Sequence, residues 1–209
     1  MNRTYILLGL LVTLGFSCQP ASEKTASAEL PILGERYADD NQDTVYHRIA
    51  AFAFVNQVGD TISNKDVEDK IYVADFFFTS CPTICPIMKK EMLRVYEKYK
   101  DQPNFLILSH SIDPIHDTQA VLKDYAEKLG VEDASTWNFL TGEQEKIYEI
   151  GQTSYLTTAM ADQQEPGGFL HSGAFLLIDG KGRIRGVYDG TKSDQVDRLI
   201  SDIPKLLKQ

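Results

Sequence analysis

The run Ile71-Tyr72-Val73-Ala74-Asp75-Phe76-Phe77-Phe78-Thr79-Ser80-Cys81-Pro82-Thr83-Ile84-Cys85-Pro86 decides how the rest of the chain is read. Its first part is mostly apolar and β-favouring, which predicts a buried strand. Beyond it, Ile87, Met88, Met92 and Val95 recur at helical spacing, which predicts a helix reaching Lys100. Two cysteines therefore stand where a core strand hands over to a helix. A helix start carries unpaired backbone N–H groups and a partial positive charge. Both favour the thiolate, the form that attacks disulfides and binds metals. Cys81 and Cys85 are four residues apart, so one helical turn would bring their sulfurs to the same side. Pro86 suits a first turn, where its missing N–H is not needed. Inert burial is the plainer reading of two cysteines, but a pair flanked by prolines at such a junction points to chemistry.

Working outward, Asp101 to Asn104 breaks the helix and Phe105 to Ser109 reads as a second buried strand. His110 and His116 then fall in the loop that follows, as polar loop residues, with Asp113 and Thr118 as turn or cap groups. Thr118 to Leu129 is an amphipathic helix closed by Gly130. Trp137 to Leu140 is a short strand, and a helix opens near Thr141 and runs to about Ile150. Residues 151–168 lack periodicity and read as a long functional or mobile loop. His171 follows, at the start of the penultimate strand, Ala174 to Ile178. Asp179 to Gly182 turns into a last strand, Arg183 to Tyr188. These glycines lie between two strands and not before a helix, which excludes a phosphate loop. Ser193 caps a final helix through Leu206, with Pro204 disturbing its last turn. Upstream, His47 to Val55 and Thr61 to Ser63 read as a hairpin, with His47 on the surface. The order predicts a thioredoxin-like α/β sandwich: a central mixed sheet, helices on both faces, and an N-terminal β-hairpin extension.

The chain has 209 residues and a net charge of −9, with no basic stripe. Nucleic-acid binding needs a basic face and is excluded. Residues 1–18 read as a signal segment: Asn2-Arg3, then an apolar run from Tyr5 to Phe16, shorter than the roughly 20 residues of a membrane span. It ends at Cys18, which resembles a bacterial lipoprotein signal whose cysteine is lipidated. Gly15 stands where a leucine is usual, and Leu14 lies one step further back. Residues 19–44 are small and polar, a flexible tether in which Leu30 to Gly34 begins to dock and Asp39 to Asn41 forms a loop, and residues 45–209 form the domain. The chain is thus exported and held at a bacterial membrane, facing the periplasm. Of three cysteines, one belongs to the signal and two remain as a pair. In an oxidising compartment such a pair forms a disulfide unless a reductant or metal intervenes.

The pair alone allows thiol–disulfide exchange or metal binding by soft thiolates, which favour Cu(I) or Zn. A third ligand decides. Dithiol oxidoreductases of the thioredoxin fold place a cis-proline at the start of the penultimate strand, beside the cysteine loop. Here Leu170-His171-Ser172-Gly173-Ala174 has no proline, and the histidine in its place moves the reading toward metal. In the exchange alternative, Cys81 attacks and Cys85 resolves. A thiol peroxidase would need a peroxide pocket, and no arginine lies near the motif to build one.

With these residues in hand, the chain resembles the Sco/SenC family, thioredoxin-like copper-delivery proteins of cytochrome c oxidase assembly. The resemblance rests on Asp75 to Pro86, Ser111-Ile112-Asp113-Pro114 with Asp117-Thr118, Trp137 to Gly142, and His171-Ser172 leading into Phe175 to Asp179. It spans roughly residues 46–205. It implies a copper ion held by Cys81, Cys85 and His171, and a copper-binding oxidase subunit as partner. Many members carry an acidic residue just before the ligand histidine; this chain has Leu170 there.

Overall fold

The computed structural model describes residues 29–131 and 133–208. In chain order its strands are β1 (Arg36–Ala38), β2 (Thr44–Tyr46), β3 (Ala53–Val55), β4 (Thr61–Ser63), β5 (Ile71–Phe77), β6 (Phe105–Ser111), β7 (Trp137–Leu140), β8 (Ala159–Ala161), β9 (Phe169–His171), β10 (Ala174–Ile178) and β11 (Ile184–Asp189). The helices are α1 (Asn64–Val67), α2 (Cys85–Tyr99), α3 (Gln119–Lys128), α4 (Gln144–Glu149) and α5 (Ser193–Leu207), and α4 runs on into a π-helical turn, Ile150–Ser154. The main sheet has the order β11-β10-β5-β6-β7. Strands β5, β6 and β7 are parallel; β10 is antiparallel to both β5 and β11. This is the expected mixed sheet of a thioredoxin-like sandwich.

The central strands β5 and β6 are buried along their whole length, because neighbours flank them on both sides and layers cover both faces. Side chains alternate between those layers. Phe77 meets Tyr125 of α3, with ring centroids 5.5 Å apart. Phe76, one step along, meets Tyr155 beyond the π-turn at the same 5.5 Å. Helix α2 buries Cys85, Met88, Met92, Val95 and Tyr99; of the stripe that its spacing predicts, only Ile87 turns outward and is exposed. Helix α5 buries Val196, Leu199, Ile203 and Leu206.

Several expectations are corrected. Pro204 does not disturb α5, which continues to Leu207. The carbonyl its missing N–H would have met, on Ile200, accepts the Tyr99 hydroxyl instead at 2.6 Å. Lys192, not Ser193, occupies the cap position, with no side-chain cap bond. Residues 47–52 are not strand; β3 begins at Ala53. His47 is half-buried, its Nε2 2.6 Å from the Ser154 carbonyl. His110 is not a loop residue: it lies within β6 and is fully buried. The stretch 151–168 is not structureless, since it holds most of the π-turn and strand β8.

Ordered structure also starts earlier than residue 45. Leu30 and Leu33 pack against the core, and β1 pairs with β2. Arg185, which is 4% exposed, donates to the Leu30 carbonyl at 2.5 Å and the Pro31 carbonyl at 3.0 Å. Its remaining guanidinium nitrogen meets Asp179 at 2.9 Å, so the buried charge is paired. Leu33 N–H donates to the Ile184 carbonyl at 2.8 Å. Leu30 to Leu33 of the expected tether is therefore docked chain, while β1 pairs with β2 and stays exposed. The signal segment, Cys18 and residues 19–28 lie outside the described residues.

Candidate metal centre

Strand β5 delivers the cysteines. It ends at Phe77, and the Cys81 N–H turns back onto the Phe78 carbonyl at 3.2 Å. Cys81 thus sits in a tight loop before the helix, and Cys85 is the first residue of α2. Both are free thiols and both are buried. The third group comes from the far side of the sequence. His171 is the last residue of β9, opposite Ala159 of β8. It belongs to this small hairpin and not to the start of β10, where sequence reasoning placed it.

The hairpin packs down on the cysteine loop. Phe78 touches Phe169 and the His171 ring, with centroids at 5.1 Å and 5.8 Å. Gly167 lies so close that an added Cβ would come within 2.9 Å of the Phe78 ring, and its φ of +90° also favours glycine. The Ser172 N–H donates to the Thr158 carbonyl at 3.2 Å, which fixes the residue beside the histidine.

His171 Nε2 lies 3.3 Å from Cys85 Sγ and 3.9 Å from Cys81 Sγ. One ligand atom from each of the three residues falls within 4.8 Å of the others. The other ring nitrogen, Nδ1, is 3.2 Å from the Ser172 carbonyl. A carbonyl only accepts, so Nδ1 carries the hydrogen and Nε2 turns its lone pair to the sulfurs. Burial keeps His171 neutral by lowering its pKa, partly offset by the Ser172 carbonyl.

The two thiols are unequal. Burial opposes ionisation of Cys81, yet hydrogen bonds from the Cys85 thiol, the Thr83 and Cys85 backbone and the Thr83 hydroxyl outweigh it and hold Cys81 below the ordinary thiol value. Burial, together with the bond to Cys81, pushes Cys85 up. The thiol favoured as thiolate is therefore the one ahead of the helix, not the one at its first residue. Two soft sulfurs and an imidazole lone pair form a three-donor cup for a soft ion, and the donor chemistry fits copper or zinc.

The three residues named from the sequence, Cys81, Cys85 and His171, lie together in the fold. Two neighbours of the site were not singled out from the sequence: the Ser172 carbonyl, which meets His171 Nδ1, and the Asp117 carboxyl, which meets Thr79 two residues before Cys81. The first is a backbone group and carries no side-chain signal. Asp117 was noticed only within the family-like stretch after Pro114.

A mixed sheet of this order with a Cys-x-x-x-Cys loop facing a distant histidine defines a class: thioredoxin-like proteins with a thiolate–imidazole metal cup. The SCO1/SenC family model matches residues 40–208. Among solved structures, a SCO1/SenC family lipoprotein from Bacillus anthracis str. Ames is 31% identical, with TM-score 0.70, over 77% of this chain and 95% of that one. BsSco, described as a member of the Sco family of cytochrome c oxidase assembly proteins with a disulfide switch, is 30% identical, with TM-score 0.68, over 78% and 94%. Arabidopsis thaliana ScoI, solved with copper bound, shares the fold at TM-score 0.61 and 21% identity, over 75% and 98%. The chain belongs to the SCO1/SenC family.

Proposed function

We propose that this protein binds copper through Cys81, Cys85 and His171 and delivers it to a copper-binding subunit of cytochrome c oxidase. The convergence of three soft or borderline donors within 4.8 Å carries this reading. Two relatives support it: BsSco, of an oxidase-assembly family, and ScoI, with copper bound. Cys81, already favoured as thiolate, makes the first bond, and His171 Nε2 offers its lone pair without losing a proton. Any proton still on a thiol leaves as the ion binds, so binding releases protons and tightens as pH rises.

Replacing His171 by Ala tests the role directly. Copper affinity falls by more than the roughly 10–100-fold that loss of an outer-shell partner costs, while dithiol exchange persists. Unchanged affinity in that variant rejects the copper role and leaves a thiol–disulfide reductase acting through Cys81 and Cys85. The Cu(II) form carries a thiolate charge-transfer band, which zinc cannot produce. The same reading places the domain in the periplasm, held to the membrane by a lipid on Cys18. A lipoprotein among the relatives supports that placement. Mass spectrometry of the mature N-terminus checks it: an unmodified start beyond Cys18 rejects the anchor.

A further inference from the structure

We propose that Asp117 is a positioning residue that sets the reach of Cys81 toward His171. Asp117 lies in the loop between β6 and α3 and is fully buried, at 0% exposure. Its carboxyl receives three hydrogen bonds. The Thr79 N–H donates to Oδ2 at 3.0 Å, the Ser111 hydroxyl donates to Oδ2 at 2.6 Å, and the Thr79 hydroxyl donates to Oδ1. Thr79 thus gives both its backbone and its side-chain donor to one carboxyl.

The segment so gripped carries the site. Thr79 is preceded by Phe78, which packs edge-on against the His171 ring, and followed two residues later by Cys81. The loop is itself fixed to the sheet. Ile112 N–H donates to the Phe77 carbonyl at 2.9 Å, and Asp117 N–H donates to the Asp113 carbonyl at 2.8 Å. The carboxyl therefore bridges a fixed loop and the short span that links β5 to the first thiol. A carboxyl with two oxygens can accept all three bonds. An amide in its place offers one acceptor oxygen and meets the Thr79 hydroxyl with an N–H, so that hydroxyl has to reverse from donor to acceptor. Leu170 stands directly before His171, and the carboxyl proposed to position this site lies on the cysteine side.

The inference rests on the copper reading for one of its two readouts only. Three variants of the full chain test it: Asp117→Asn, Thr79→Val and Ser111→Ala. The last two each remove one hydroxyl bond to the same carboxyl, but only Thr79 belongs to the cysteine segment. The first readout needs no metal: the rate at which iodoacetamide alkylates Cys81 in reduced protein, located by mass spectrometry. The second is the Cu(II) dissociation constant together with the position of the thiolate band. Asp117→Asn and Thr79→Val change the alkylation rate several-fold, shift the band and weaken copper about 10-fold or more, as loss of an outer-shell partner does. Ser111→Ala leaves both readouts within about twofold of the parent, and Asp117→Asn with Thr79→Val together is no worse than Asp117→Asn alone, as expected for one shared network. The proposal fails if Ser111→Ala matches Thr79→Val, or if Asp117→Asn and Thr79→Val leave the alkylation rate unchanged. A parent chain that binds no copper defeats the copper reading but leaves the alkylation result to stand or fall on its own.

Discussion

Asp75 and His110 sit on adjacent strands, one register step apart: Asp75 pairs with Ser109, and Phe76 pairs with His110. They point into opposite layers and survive burial by opposite means. Asp75 faces the helix side, lining a cavity of about 10 Å³ with Cys85, Met88 and Tyr125. Ser109 donates to it at 2.5 Å, and Trp137 Nε1 donates in turn to the Ser109 hydroxyl at 2.9 Å. His110 faces the other layer, and neither ring nitrogen has a hydrogen-bond partner among the described residues. Rings hold it instead: Phe76 stacks at 5.0 Å, with Tyr155 at 5.3 Å and Phe54 edge-on at 5.5 Å. A carboxyl in a core needs a donor; an imidazole can remain by staying neutral and packing as an aromatic ring.

Acid separates the two groups most strongly. Burial pushes Asp75 up to about 7, and the Ser109 hydroxyl offsets only part of this. Burial pushes His110 down to about 3. Between roughly pH 4 and 6.5 the unfolded chain binds a proton at His110 that the folded chain refuses, so that group lowers stability as pH falls. Over the same window the folded chain keeps a proton on Asp75 that the unfolded chain has lost, so that group raises stability as pH falls. The contributions oppose each other and leave the parent's profile shallow. Asp75→Asn removes one of them, and stability then drops by on the order of 3 kcal/mol between pH 6.5 and pH 4. His110→Phe leaves the other, and stability rises on acidification. Urea unfolding of the reduced, metal-free proteins at several pH values measures both slopes; parallel profiles for parent and variants would refute the opposition.

At neutral pH the expected effects are smaller. Ser109→Ala strips the donor from Asp75 and the acceptor from Trp137, which costs about 2 kcal/mol in urea unfolding. His110→Phe removes a buried group with no partner and keeps a ring against Phe76, so it stabilises by about 1 kcal/mol. A loss of stability there would mean that the imidazole makes a contact the rings do not supply.

The same pair marks where the sequence could be read. Ile71 to Phe77 and the α2 stripe were legible because periodicity and burial agree. The cysteine pair and His171 were legible because a histidine without a proline is conspicuous in that place. The pair His110-Ser111 was not, since polar residues read as the end of a strand. They are buried because β6 lies between β5 and β7, which no local pattern reveals. Strands β8 and β9 are three residues each, too short to alternate visibly. That Leu30 to Gly34 docks was legible from its apolar residues, but its anchors were not: Arg185 and the Ile184 carbonyl, about 150 residues away, bind its backbone.

That docking separates mechanical load from chemistry. Arg185 and Ile184 grip the incoming chain beside the β5 end of the sheet at Ile71, whereas the sulfurs lie past its other end, beyond Phe77. Seven residues of strand intervene, roughly 20 Å at about 3.3 Å each. A pull on the N-terminal chain is borne by an edge strand and a paired guanidinium at one pole. The hairpin that carries His171 at the other pole is spared that force.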